Sequence, residues 1–384
     1  LVVTEVALSL VLLTSAGLVA RSFVSLISVD SGLRPEGVLT ARVNLSAGYD
    51  DDSRRQFFPE LIQRVAAIPG VTAVGGITFL PMDGLGSATS YWAGDRPAPA
   101  EADRTAADVR SVVGDYFGAM GIEMISGSPF DGTERRDEPR KVIINRAAAE
   151  SFWPGESAVG RPVVYSWGGD IPQEVVGVVA DVRTQGLDTE PRGILYMPYE
   201  QAPDFNYLSL AIRTPGDPLS LVGPVKNILR DMDPQIPLAS PRVMEDLVGA
   251  SVARPQMTSA LMGAFAALAA LLSAVGLYGV IAFSVSGRTR EIGIRVAVGA
   301  GRSDVLGLVV RQVMGLASTG LVLGLIVSLL SGQFLEWLLF SVSPRDPLVL
   351  VGSLTLLAAV AFVACLVPAM KAAGIHPREA LTAD

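Results

Sequence analysis

The sequence predicts an α+β membrane protein with four transmembrane helices. One precedes and three follow a two-subdomain α/β extracytoplasmic domain. Three observations carry this prediction. Half of the 384 residues are hydrophobic, and the mean hydropathy of +0.43 is too apolar for an ordinary soluble globule. The apolar residues gather at the two ends of the chain, around a polar middle of about 230 residues, long enough for its own core. Arginines concentrate in one of the short loops between apolar runs, which orients the whole.

The first span covers residues 1–21 and ends at Arg21. Glu5 near its start reads either as an intramembrane acidic site or, preferred here, as an interfacial residue near the cytoplasmic end of the helix. The chain opens inside this apolar run without an initiator Met, as part of a longer chain would. The extracytoplasmic domain follows over residues 22–256. It begins with a strand at 38–45 and a helix that Asp52 or Ser53 caps, with Phe58, Leu61, Ile62 and Val65 at helical spacing. Pro69 and Gly70 stop that helix, and a strand at 71–79 completes a βαβ unit over about 37–81. The order repeats over about 205–245: a strand at 207–213, a helix opened by Asp217 and Pro218, a strand at 236–239, and a helix at 243–252 leading to the next span. These two units are expected to pair into one α/β layer. Between them, about 82–201 is rich in Gly, Pro and charge, with short apolar runs at 142–144, 163–165, 174–182 and 193–197 and a helix at 146–153. It predicts a β-rich second subdomain.

The remaining residues, 257–384, carry spans at about 257–286, 312–335 and 347–370, each long enough to cross roughly 30 Å of hydrocarbon. The loop at 287–311 holds Arg288, Arg290, Arg295, Arg302 and Arg311 against only Glu291 and Asp304, and the tail adds Lys371 and Arg378. The positive-inside rule places this loop and the tail in the cytoplasm, and the large domain outside. Between Arg21 and Arg254 there are 22 basic and 31 acidic residues, so the outer domain holds the whole acidic excess of the chain. That charge argues against a nucleic-acid partner. Gly320 and Gly324 form a GxxxG pattern in the third span, and Gly263, Gly276 and Gly279 put small residues on the second. In lipid, such faces let helices approach closely, within the chain or at a subunit interface.

Several chemistries are excluded by composition. One Cys, Cys365, and one His, His376, rule out an intrachain disulfide and a multi-ligand Cys/His zinc site. Gly299-Ala300-Gly301-Arg302-Ser303 lacks the Gly-Lys-Ser/Thr of a phosphate-binding loop, and Leu330-Ser331-Gly332-Gln333, an echo of the ABC ATPase signature, sits in a membrane helix. Acidic pairs such as Asp131 and Glu134 read as solvated loops. Trp92, Trp153, Trp167, Tyr165 and Tyr207 read as packing residues before they read as a peptide or glycan site. No catalytic group, metal site or cofactor is expected.

Several segments resemble a known family. Gly114-Asp115-Tyr116-Phe117 with Met120-Gly121-Ile122 and Gly127, Ile143-Ile144-Asn145-Arg146 with Phe152-Trp153 and Gly160, and Val175-Val176-Gly177-Val178-Val179 with Asp181 all resemble motifs of the MacB-like periplasmic core domain. Thr289-Arg290-Glu291-Ile292-Gly293-Ile294-Arg295-Val296-Ala297-Val298-Gly299-Ala300 resembles the cytoplasmic loop of the FtsX-like permease domain, and the segment from Pro368 to Leu381 fits that family's C-terminal end. The wording is most similar to the C-terminal unit of bacterial duplicated permeases.

The resemblance implies a multi-pass protein of the bacterial inner membrane, the permease subunit of an ABC transporter. Its partners would be a cytoplasmic ABC ATPase subunit, a second permease unit (a homodimer or the duplicated half of one chain) and membrane lipid. ATP hydrolysis on the ATPase would move the outer domain by mechanotransmission, for efflux or extraction of a periplasmic or membrane substrate. The alternative is a regulatory permease that controls a cell-wall or envelope partner without transporting a solute. A membrane-anchored enzyme or receptor is the third class, and it would need a polar catalytic cluster that the middle domain does not display. The coupling residues implied are Arg288, Arg290, Glu291, Ile292, Arg295 and Arg302. Read from the residues alone, Ile292, Ile294, Val296 and Val298 interleaved with these arginines suit either a surface helix that meets a partner or a topology signal that binds lipid headgroups.

Overall fold

The computed structural model describes residues 2–136, 138–169, 171–203, 205–287 and 302–373, which form two compact units. Residues 1–28 and 253–384 make the membrane unit, and Val29–Val252 the outer unit. In chain order the elements are α1 (Val2–Ile27), β1 (Val38–Asn44), α2 (Asp51–Ala66), β2 (Ala73–Ile77), β3 (Ala88–Ala93), β4 (Thr105–Gly114), α3 (Tyr116–Met120), β5 (Met124–Gly127), β6 (Lys141–Asn145) and α4 (Arg146–Phe152). Then come β7 (Pro162–Tyr165), β8 (Gln173–Val179), β9 (Gly193–Pro198), β10 (Tyr207–Arg213), α5 (Val222–Met232), β11 (Leu238–Val243), α6 (Met244–Gly287), α7 (Arg302–Ser331) and α8 (Pro347–Ala373).

In the outer unit, the alternation of Leu39, Ala41 and Val43 on β1 and of Leu208, Leu210 and Ile212 on β10 gives one apolar sheet face. Phe58, Leu61 and Val65 of α2 and Val225 and Leu229 of α5 cover it. Asp50 caps α2 by accepting the Ser53 N–H at 2.9 Å, and hydrogen bonding from the Ser53 side chain, then from its backbone, holds the Asp50 carboxyl below the usual carboxylate range. The strand order β11-β1-β10-β2, antiparallel throughout, interleaves the two βαβ units. Each unit's two strands flank one strand of the other, which is the split βαβ, ferredoxin-like arrangement.

The residues between these units extend the sheet through β4, ten residues long, whose C-terminal end pairs with β2. The N-terminal part of β4 pairs with β3, and β4 also runs parallel to β9. The pairings β4–β3–β7–β8–β6–β9 and back to β4 close a ring of six strands, with β5 attached to β8. All six contribute to one buried cluster, which includes Tyr91, Val109, Val142, Val163, Val175 and Leu195; α4 adds Ala148, and Trp153 follows at its C-terminal cap.

Charge is buried where β4 links the ring to the open sheet. Arg110, 2 % exposed, donates to the Phe79 carbonyl and, at 3.1 Å, to Asp108, which also accepts from Thr184 at 3.2 Å. Desolvation beside this group pushes the phenols of Tyr116 and Tyr196 far above their ordinary range.

In the membrane unit, α1, α6, α7 and α8 are each long and apolar enough to cross a bilayer. They meet around Val6, Leu10, Leu277, Ile281, Ala317, Leu357 and the fully buried Cys365. Two helices are longer than hydropathy alone delimits. α7 begins at Arg302, because the apolar run from Val305 to Val310 continues its helix, and α6 begins at Met244, so the helix expected at 243–252 is its first part. Pro255 lies within α6, and residues 244–252 belong to the outer unit.

Candidate functional site

Helix packing in the membrane unit turns on bare backbone. A Cβ at Gly320 of α7 would lie 2.8 Å from Val6 Cβ and 3.0 Å from the Val3 carbonyl of α1. At Gly324 it would lie 2.8 Å from the Ala7 carbonyl and 3.0 Å from Leu10 Cβ. The GxxxG face therefore packs on the first span of the same chain. On the other side of α1, Ser9 Oγ donates to the Ala269 carbonyl of α6 at 2.8 Å, and the Glu5 carboxylate lies against Gly276, where a methyl group would overlap it. Glu5 Oε2 is buried without a donor among the described residues. Of the five expected packing glycines, Gly276, Gly320 and Gly324 thus meet α1, whereas Gly263 and Gly279 face open space. Met257, Leu261, Phe265, Leu268, Leu272 and Val275 recur every three or four residues on α6 and are exposed.

One end of α1 is tied by charge. Arg21 pairs with Asp346 at 2.6 Å, and Asp346 also caps α8 by accepting the Leu348 and Val349 N–H groups. Ser22 Oγ accepts the Phe340 N–H at 2.7 Å. Of the expected coupling residues, Arg288, Arg290, Glu291, Ile292 and Arg295 lie outside the described residues, as does His376, and Arg302 is the first residue of α7.

In the outer unit, the motif residues build joints of the fold. Gly114, at φ 66°, turns the chain from β4 into α3, Asp115 caps α3 through the Gly118 N–H, and Gly121, at φ 67°, ends it against Arg34. Asn145 is a hub. Its amide donates to Asp181 at 2.6 Å and to the Arg192 carbonyl at 2.8 Å, while its oxygen accepts the Ala148 and Ile194 N–H groups at 3.2 and 2.7 Å. One side chain thus joins β6, the start of α4, the loop after β8 and β9. Neither Asp108–Arg110 nor this hub is signalled by sequence periodicity.

The acidic pair Asp131 and Glu134 closes its own loop. Glu134 accepts the Asp131 and Gly132 N–H groups and lies 3.5 Å from Lys141, and bonds from Thr133 hold the Asp131 carboxyl below its ordinary range. Trp92 and Trp153 are buried, and the Trp153 indole donates to Asp95 at 3.0 Å. Trp167 is exposed.

Two family models match the chain. The one described as the MacB-like periplasmic core domain matches residues 6–222, and the one described as the FtsX-like permease C-terminal region matches residues 263–377. Among curated relatives, the pyoverdine export ATP-binding/permease protein PvdT of Pseudomonas putida is 26% identical over 271 residues, covering 68% of this chain and 40% of its own length. The macrolide export ATP-binding/permease protein MacB of Acinetobacter baylyi is 25% identical over 314 residues, covering 78% and 44%. The chain therefore spans 40% to 44% of the length of these relatives. Among solved structures, the periplasmic region of MacB from Actinobacillus actinomycetemcomitans aligns with a TM-score of 0.39 at 14% identity, over 58% of this chain and 95% of its own.

Proposed function

The chain belongs to the family of permeases with a MacB-like periplasmic core domain, whose model covers more than half of it, and we propose that it couples ATP hydrolysis by a separate ABC ATPase subunit to movement of its outer domain. The observation that carries this reading is α6, one helix that supplies residues to both the membrane unit and the outer unit. Its other end leads into the Arg-rich segment 288–302, the expected contact with the ATPase. Coupling requires two conformations with different affinities for the partner in its nucleotide states, and an element common to both units is a physical route for it. The names of the relatives point to export as the direction of transport.

The exposed apolar row on α6, with Gly279 bare one turn after Val275, supports a second permease unit packing there within the lipid. Residues 257–384 then act as the permease domain, with 287–311, whose last ten residues open α7, as its coupling segment.

Affinity capture of the detergent-solubilised full-length gene product, followed by mass spectrometry, tests the reading. An ABC ATPase is expected in the eluate as a separate chain. An ATP-binding region on the same polypeptide would correct the subunit arrangement, and no ATPase in either form would contradict the coupling.

A further inference from the structure

The sheet face opposite α2 and α5 carries a feature that the transport reading leaves unused. Thr40 and Arg42 of β1, Ser209 of β10, Ser240 and Arg242 of β11, and Asp83 from the loop after β2 line a hollow of about 60 Å³. Arg42 and Arg242 both donate to Asp83, each to a different carboxylate oxygen. Neither arginine pairs with another acidic side chain among the described residues. Two permanent positive charges thus share one negative charge, which leaves an excess of one.

Two further observations mark the hollow. Arg42 Nε is buried without an acceptor among the described residues, an expensive state for a charged donor. The backbone is also strained on both sides. Met82, next to Asp83, and Ser240, two residues before Arg242, have φ of 63° and 48°, and they are two of the three non-glycine residues with positive φ among those described. Ser240 lies where the β1–β11 register shifts, a bulge at the sheet edge. Such strain persists where the surroundings over-determine it, commonly at ligand sites.

We propose that this hollow binds a small carboxylate, held by Arg42 and Arg242 beside the resident Asp83. The planar forks of two guanidinium groups suit a carboxylate, as Asp83 already shows. The single excess charge matches a monoanion, and the volume suits a group the size of acetate. Thr40 donates its hydroxyl to the Arg242 carbonyl at 3.0 Å and so fixes the backbone that carries one of the two forks.

Saturation-transfer NMR of acetate with the detergent-solubilised full chain tests the site at constant ionic strength. Saturable transfer is expected with the wild type. Arg242→Gln removes one fork at a partly exposed position, and should weaken acetate binding about tenfold, the equivalent of one charge-assisted hydrogen bond. Asp83→Asn keeps the shape while freeing both forks, and should tighten binding by about the same factor. Loss in the first variant supports the site, and gain in the second supports it independently of any loss of folding. No acetate signal with the wild type, or equal binding by wild type and Arg242→Gln, would overturn it.

Discussion

Gly324→Leu is expected to destabilise the membrane unit by about 3 kcal/mol, the upper range for forcing bulk into a packed contact. The new Cβ would stand 2.8 Å from the Ala7 carbonyl and 3.0 Å from Ala7 Cα and Leu10 Cβ. Two of those atoms are backbone, which no rotamer change can move aside. The α1–α7 pair must separate, and with it the cluster of Val6, Leu10 and Ala317. Gly263→Leu is the control, because nothing lies within 4 Å of a Cβ there. Thermal unfolding in detergent, followed by size-exclusion chromatography, should show a clear loss for Gly324→Leu and almost none for Gly263→Leu. Equal losses would mean that the GxxxG face does not seat α1.

The second large effect is expected at Asn145 in the outer unit. Asn145→Ala removes four hydrogen bonds at a side chain with no solvent exposure. It leaves the Ile194 and Ala148 N–H groups without their acceptor and the Arg192 carbonyl without this donor. Each buried group left unpaired costs about 1–3 kcal/mol, so a total of about 4 kcal/mol is expected. Asn145→Asp keeps the two acceptor bonds but sets a carboxylate against Asp181, and should be no better tolerated. Hydrogen exchange read by mass spectrometry gives a local test, since the Ile194 amide should lose protection in Asn145→Ala, which removes its acceptor. Unchanged protection at Ile194 with an unchanged melting temperature would show that Asn145 does not organise this joint.

The contrast between these two sites explains what the sequence reveals. The four spans are legible because each is a continuous apolar run, and bilayer thickness sets its length. The interleaved βαβ units are legible because Leu39, Ala41 and Val43 alternate and Phe58, Leu61 and Val65 follow helical spacing. β4 is not, because Asp108 and Arg110 resemble solvent-facing residues and are instead buried on each other. Closure of the six-strand ring depends on β4 meeting β9 some 85 residues later, a pairing that no local pattern encodes. Gly320 and Gly324 are visible as a motif, but their neighbour is not, since α1 lies about 300 residues away along the chain. The Asn145 hub belongs to a recognisable motif, yet only the fold brings Asp181 and Ile194 to it.

The most direct test of the central claim is the rate of ATP hydrolysis by the ATPase subunit in lipid vesicles, alone, with the wild-type chain, and with the Arg290→Ala/Glu291→Ala double variant. The wild-type chain is expected to stimulate hydrolysis, and the double variant is expected to insert into the vesicles and fail to do so. Full stimulation by the double variant would contradict coupling through this loop.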